Sequence, residues 1–364
     1  KENLSYDNVL QDESFPEMMD LSKRMRAKRI GLDIAGAERR PRINGDEISL
    51  EVKWPNDATE MIEAFMVATN EAVGHLLGSL EASLPWRCHS PPDAPEVESL
   101  NAKLESLGID IELPMPSHRK TGETASDETM NLLSAWADAG LSFDNEAKSD
   151  EEVGDYLSSV VDSDARGEML QALRDAQASA SSLSEVKRRV VDQGLFQLMQ
   201  RAIYSEENLG HFGLDLDAYV HFTSPIRRYP DLVVHRQLKA HLSGRDWAHS
   251  YEDVEQISAH CSTRSTQAKK LEWELVASVC NMHLANSEDT STWNARVVGL
   301  RSPWIYLDLE DDGSFEGRMH LSQLGGKERL MVDLFGLRVE REDGSSVLEL
   351  GQRFECRLRG LDIW

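Results

Sequence analysis

The sequence predicts an α+β protein, helix-rich over most of its length and closed by a small β-barrel. Three observations carry that expectation. Apolar residues recur at helical spacing through 58–80, 166–204 and 252–286. After Asp289 the period shortens to two: Trp293, Ala295 and Val297 alternate with Asn294 and Arg296. The short strands of that region are separated by turn residues, the pattern of a small barrel. With 364 residues the chain has room for two or three folding units, and a hydrophobic share of 40% excludes a wholly disordered polymer.

Taken in order, residues 14–30 read as a helix with Phe15, Met18, Met19, Ser22 and Met25 near one face. Segments around 42–54 read as a hairpin turning at Asn44-Gly45. Pro55-Asn56-Asp57 offers a helix start, and Met61/Ile62, Phe65, Ala68, Ala72/Val73, Leu76/Leu77 and Leu80 continue it as an amphipathic helix. Prolines 85, 91, 92 and 95 break regular structure before a helix at 96–107 that ends at Gly108. Residues 114–165, rich in Ser, Thr, Asp and Glu, read as an acidic surface insertion. In the helix of 252–286, Ile257, Leu271, Leu275, Val279 and Met282 are expected to face inward. Ile305, Leu307 and Leu309 share one face of a strand, with Trp304, Tyr306, Asp308 and Glu310 on the other. Residues 315–319 and 346–361 supply further strands.

No uncharged apolar run reaches the ~18 residues of a membrane span. The four cysteines (Cys88, Cys261, Cys280, Cys356) are scattered, unlike a disulfide framework, so a reducing, cytoplasmic setting is expected. The chain opens at Lys1 without a leader and reads as if it begins inside a domain, so a fragment or a processed chain is expected. Asp plus Glu number 64 against 39 Lys plus Arg, a net charge of −25. That balance argues against a polyanionic ligand only if the charge is evenly spread, because a phosphate feels charges within about 10 Å at ordinary salt. It is not even. Residues 23–42 hold eight basic side chains against Asp33 and Glu38, and 144–164 hold eight acids against one lysine.

The stretch from Gly210 to Arg236 carries the most chemistry. Thr223-Ser224-Pro225 reads as an N-cap followed by proline at the first helical position. Pro230 cannot sit deep in that helix and is better at the head of a second one running to His241. Arg227 and Arg228 are then held in one short turn where free N–H groups, a hydroxyl and guanidinium forks converge, which suits a phosphate. The competing reading is a surface turn whose arginines pair with nearby acids such as Asp231.

Thr223-Ser224-Pro225-Ile226-Arg227-Arg228-Tyr229 resembles the signature of the RNase II (RNB-domain) family. Leu4 to Val9, the Met61–Asn70 helix and Arg87-Cys88-His89-Ser90-Pro91-Pro92 are similar to other segments of that family. Residues 292–364 resemble the S1 RNA-binding barrel that follows the catalytic domain, best at Glu316 to Ser322. The resemblance implies catalytic-domain helices around a mixed sheet at 1–288, lacking the N-terminal portion, and an OB-type S1 barrel, complete or cut short, at 291–364.

The resemblance further implies 3′→5′ exoribonucleolytic hydrolysis of single-stranded RNA to nucleoside 5′-monophosphates, with Mg²⁺ as cofactor and a monomer as the working form. Arg227 matches the arginine that grips the scissile phosphate, and Glu63 the first glutamate of the helical motif beside the terminal nucleotide. The second glutamate is Ala64 here. His221, Thr223, Ser224, Arg228, Tyr229 and Asn70 are expected to line the RNA path, with Glu63 and Asn70 on one helix face. On the barrel, Trp304, Tyr306, Phe315 and His320 are candidates for stacking bases, although Trp304 and Phe315 equally suit core packing. The family's aspartate cluster has no counterpart in the sequence: Asp215 and Asp217 belong to the lead-in of the motif, and Asp311-Asp312 to a turn. No metal ligands are therefore assigned, and a non-catalytic RNA-binding homologue is the alternative. Cys280 to His283 and His260-Cys261 lie too far apart along one helix, roughly 30 Å, to share a zinc ion.

Overall fold

A computed structural model describes residues 15–27, 38–44, 47–116, 119–120, 159–160, 163–286, 292–309, 315–325, 329–333 and 336–357. The segment at 4–9, the Leu32-Asp33-Ile34 position and most of the acidic insertion lie outside the described residues.

The elements run α1 (Pro16–Ala27), β1 (Glu38–Asn44), β2 (Glu47–Lys53), α2 (Asp57–Ser79), β3 (Trp86–Cys88), α3 (Ala94–Ser106), β4 (Arg119–Lys120) and β5 (Ser159–Val160). They continue with α4 (Ser163–Ala180), α5 (Glu185–Leu198), β6 (Ile203–Ser205), a 3-10 turn (Phe212–Leu214), α6 (Tyr229–Leu242) and α7 (Tyr251–Asn286). The last part holds β7 (Trp293–Arg301), β8 (Trp304–Leu309), β9 (Phe315–His320), α8 (Ser322–Gly325), β10 (Leu330–Val332), β11 (Arg338–Arg341), β12 (Ser346–Glu349) and β13 (Arg353–Cys356). Two compact units interleave along the chain. One is made of Lys1–Ile34, Asn56–Ala178 and Gly194–Gln267, the other of Ala35–Pro55, Ser179–Gln193 and Ala268–Trp364.

In the first unit α2 begins where the sequence offers a cap. The Asn56 side chain accepts from the Thr59 N–H at 3.0 Å while the Thr59 hydroxyl accepts from the Asn56 N–H at 2.9 Å, a reciprocal capping box. Lys23 of α1 pairs with Asp57 at 2.8 Å, and Arg26 pairs with Glu60, so α1 is tied to the first turns of α2. Leu77 of α2 packs with Leu84, Trp86, Cys88, Ala218, Val220 and Val234 in one apolar cluster. Gly78 makes this approach possible, since a Cβ there would stand 2.9 Å from Cη2 of Trp86.

In the second unit β1 and β2 pair antiparallel as a hairpin, with Asn44 opposite Glu47. Four strands pair in the order β13-β7-β8-β9, and β10-β11-β12 form a separate sheet of three. Ile305, Leu307 and Leu309 are buried and Tyr306 is exposed, the alternation the sequence predicts for β8. Among the described residues these sheets do not close into a barrel.

Three further expectations are corrected. Among the described residues every paired strand is antiparallel, where a mixed sheet is expected. Connections such as Ser302-Pro303 between β7 and β8 are too short for a parallel crossover. Residues 166–204 are two helices broken at Ser181 to Ser184, and Ile203 belongs to β6. In α7, Leu271, Leu275 and Met282 are 66%, 60% and 40% exposed, and among the described side chains of that half Val279 is the buried one. The buried stripe of the first half is instead Val254, Ser258, Cys261 and Ser262. Apolar spacing marks a stripe on a helix but does not say whether another element covers it.

Candidate functional site

The site grows from three short strand segments side by side. Arg87 of β3 is opposite Tyr204 of β6, and on the other edge the Arg87 N–H donates to the Tyr219 carbonyl at 2.8 Å, with Trp86 bridged to Val220. Side chains alternate across this platform. Trp86, Cys88, Ala218 and Val220 enter the apolar cluster below it. Arg87, Tyr204, Tyr219 and His221 take the other face. The Arg87 guanidinium lies 4.8 Å from the centroid of the Tyr204 ring. The Tyr204 hydroxyl is 2.7 Å from Nδ1 of His221, and the His221 ring meets Tyr219 edge-on at 5.8 Å. Ser262 of α7 ties β6 from behind, accepting from the Tyr204 N–H at 2.8 Å and donating to its carbonyl at 3.1 Å.

Burial, with the positive charges of Arg228, Arg87 and Arg227, pushes the His221 pKa down to about 3. His221 is therefore neutral at physiological pH, and all three arginines act on it. His89 and His211 stack next to the platform at 5.1 Å. His89 accepts at Nδ1 from the Gly213 N–H at 2.9 Å and has Nε2 2.6 Å from the Gln200 carbonyl, which fixes one neutral tautomer. Burial pushes its pKa down to about 4.

Asn70 of α2 joins the platform to the signature turn. It is 3% exposed. Its Oδ1 accepts from the N–H groups of Phe222 and Thr223 at 3.0 and 3.2 Å, and its Nδ2 donates to the Tyr219 hydroxyl at 3.1 Å. The chain then turns: the N–H groups of Arg227 and Arg228 both donate to the Ser224 carbonyl, at 3.2 and 3.1 Å. This is one turn and not a helix; α6 starts at Tyr229, with Pro230 in its first turn as proline chemistry requires. Asp231, fully buried, accepts from the Ser224 N–H at 2.7 Å and takes Nε and Nη2 of Arg228 at 2.9 and 2.8 Å. The two arginines thus diverge in role. Arg228 is committed to Asp231, as the competing sequence reading has it, and the guanidinium of Arg227 is exposed with no hydrogen bond or ion pair among the described residues.

The other candidate residues distribute unevenly. Glu63 is exposed on α2, whereas Asn70, seven residues on, is buried and its amide is occupied. Tyr229 is exposed and its hydroxyl accepts from Arg236 at 3.2 Å. Thr223 and Ser224 are half-buried and held through their N–H groups. Asp215 and Asp217 are clamped by Arg166 at 2.8 and 2.7 Å, which orders the lead-in to the motif. In the second unit Trp304 is half-buried, edge-on to His320 at 5.2 Å and 4.8 Å from the Arg318 guanidinium, beside the exposed Tyr306. Phe315 opposes Leu309 in β9, and its side chain lies outside the described residues. Among the described residues no three His, Cys, Asp or Glu side chains gather where they could hold a metal ion. These residues therefore do not fit a divalent cation.

Sequence reading gave no role to Arg87, Tyr204, Arg166 or Arg318, although Arg87 and Arg318 lie in segments that carry the resemblance. The pairing of Arg87 with Tyr204 joins positions more than a hundred residues apart, and nothing local marks it. Arg318 could have been found, since it stands two residues before His320 on one strand face.

This platform and turn, on this fold, are those of an RNB-domain protein. The RNB domain profile matches residues 2–244, and the chain belongs to that family. Among curated relatives it is 28% identical over 288 residues to the ribonuclease R of Thermotoga maritima, covering 77% of this chain and 33% of the relative. It is 24% identical over 326 residues to that of Escherichia coli, with 86% and 33% covered. The chain thus spans about a third of the length of these relatives. Among solved structures, the fold is similar to that of Mycoplasma genitalium RNase R in complex with ribose-methylated single-stranded RNA. The TM-score is 0.69 and the identity 19%, with 99% of this chain and 51% of that one covered.

Proposed function

We propose that this chain is the RNA-gripping part of a 3′→5′ exoribonuclease that hydrolyses single-stranded RNA to nucleoside 5′-monophosphates. The supporting observation is the turn at Ser224 to Arg228. Asn70 and Asp231 hold its backbone from two sides, Arg228 is spent on Asp231, and Arg227 is left exposed beside a neutral His221. A guanidinium fork on a rigid turn can take two oxygens of one phosphate and stabilise the charge that gathers there during hydrolysis. Glu63, about 10 Å further along α2 from Asn70, stands towards the terminal nucleotide in this reading. Thr223, Ser224 and Tyr229 frame the path. Mg²⁺ is the cofactor proposed from the family, with ligands other than the described residues.

Residues 291–364 are proposed as an S1-type RNA-binding domain following an RNB portion at 1–288. Trp304, Tyr306 and His320 offer ring faces on which bases stack without sequence preference, and Phe315 is proposed to join them. A monomer in the cytoplasm is the proposed working form.

A second reading, a non-catalytic RNA-binding homologue, has support of its own: the chain is also similar to yeast Ssd1, a pseudonuclease, with a TM-score of 0.50 and 18% identity over 85% of this chain. Incubating the complete protein with end-labelled single-stranded RNA and Mg²⁺ separates the two. Stepwise loss of 3′ nucleotides, slowed by orders of magnitude in Arg227→Ala, supports the nuclease. Tight binding without product supports the homologue, and equal rates in the variant remove the role given to Arg227.

A further inference from the structure

We infer that Arg87 is a second ligand for the RNA backbone, taking a phosphate next to the one gripped by Arg227. This assignment rests on the RNA-binding reading above and deepens it.

Charge pairing within the site leads there. Arg228 is matched by Asp231, and Arg166 by Asp215 and Asp217. Arg42, elsewhere, is matched by Glu51. Arg87 is half-buried, and no carboxylate pairs with it among the described residues. Among the described residues its side-chain partner is the Tyr204 ring at 4.8 Å. A ring face attracts a cation but carries no counter-charge. The Tyr204 hydroxyl is itself engaged with His221, so neither group can supply an anion.

A charged group taken partly out of water without a partner is costly, and the surroundings add to the cost. Burial, then the nearby charge of Arg228, make the Arg87 guanidinium easier to deprotonate than an ordinary arginine. Yet the group stays charged, because arginine does not lose its proton in proteins. An anion drawn from solution relieves the site. Among the described residues the stacked guanidinium makes no hydrogen bond through its planar edge of N–H donors, and that edge matches two oxygens of one phosphate. The strand alternation decides where it points: Trp86 and Cys88 go to the core, so Arg87 emerges on the face shared with Tyr219 and His221. The charges of Arg87 and Arg227 both act on His221. Two uncommitted guanidiniums around one neutral histidine suit the repeating charge of a polynucleotide better than a single carboxylate.

The test uses this chain, a fluorescent single-stranded oligoadenylate and anisotropy titrations over a salt series. Arg87→Met is expected to weaken binding by roughly ten- to a hundredfold, the range of one charge-assisted hydrogen-bond pair. It should also flatten the slope of log affinity against log salt by about 0.7, one phosphate contact on a single strand. Arg87→Lys should keep the slope and lose part of the affinity. Unchanged affinity and slope in an Arg87→Met chain that melts like the parent overturn the assignment. Where that variant folds poorly, phenylglyoxal modification of the unaltered chain decides. Slower modification of Arg87 in the presence of the oligoadenylate supports the assignment, and modification at the same rate while Arg227 is protected overturns it. If the unaltered chain binds no oligonucleotide at any salt, the RNA reading itself falls, and this assignment with it.

Discussion

Asp231 receives both Nε and Nη2 of Arg228, at 2.9 and 2.8 Å, while the same carboxylate accepts the Ser224 N–H at 2.7 Å. One buried acid therefore closes the signature turn at both ends. The acid also stands in the first turn of α6, where the helix dipole favours negative charge. Removing it strands a half-buried guanidinium and frees the turn. Asp231→Ala is expected to cost about 3–5 kcal/mol of stability, the usual loss when one partner of a buried pair is deleted. Denaturant unfolding measures it, and a loss under about 1 kcal/mol would mean that water replaces the carboxylate with ease.

Asn70 holds the start of the turn, its Oδ1 accepting from the N–H groups of Phe222 and Thr223. Asn70→Leu removes the acceptor of two N–H groups and the partner of the Tyr219 hydroxyl. Each buried group left unsatisfied costs about 1–3 kcal/mol, so a drop in stability together with weaker oligonucleotide binding is expected. Calorimetry and anisotropy on the same sample check this. Retained stability with lost binding would instead make Asn70 a direct RNA contact.

Acid should destabilise the first unit through its buried histidines. The pKa values of His89 and His221 are pushed down to about 4 and about 3 when folded, against about 6.5 unfolded. Below about 6.5 the unfolded chain takes up protons that the folded chain refuses, so stability is lost as pH falls towards those lower values. The slope is about 1.4 kcal/mol per pH unit for each histidine. Urea midpoints between about pH 7 and about pH 5 test it, and a flat profile would mean that the histidines are protonated in the fold.

Two glycines in helices should answer oppositely to alanine. At Gly78 a Cβ would meet Trp86 at 2.9 Å, and overpacking there is expected to cost about 1–3 kcal/mol. At Gly167 in α4 nothing stands within 4 Å, so Gly167→Ala is expected to stabilise by about 0.5–1 kcal/mol. Thermal melts of the two variants give the signs directly.

Much of the architecture is legible residue by residue. Asn56 and Thr59 announce the start of α2, Gly108 the end of α3, and the β8 alternation shows which face of that strand is buried, because capping and side-chain periodicity depend on neighbours a few positions away. The signature turn is legible for the same reason: proline at 225 and 230 restricts its backbone wherever it is placed. Folding in three dimensions assigned the rest. It sent Arg228 to Asp231 and left Arg227 exposed, two adjacent arginines that local pattern treats alike. It set Arg87 on Tyr204 across strands brought together from distant parts of the chain, buried Asn70 while exposing Glu63 on the same helix, and left the far half of α7 bare. Whether a charge finds its counter-charge, or an apolar stripe its cover, depends on which distant segments arrive beside it, and spacing along a chain carries no record of that.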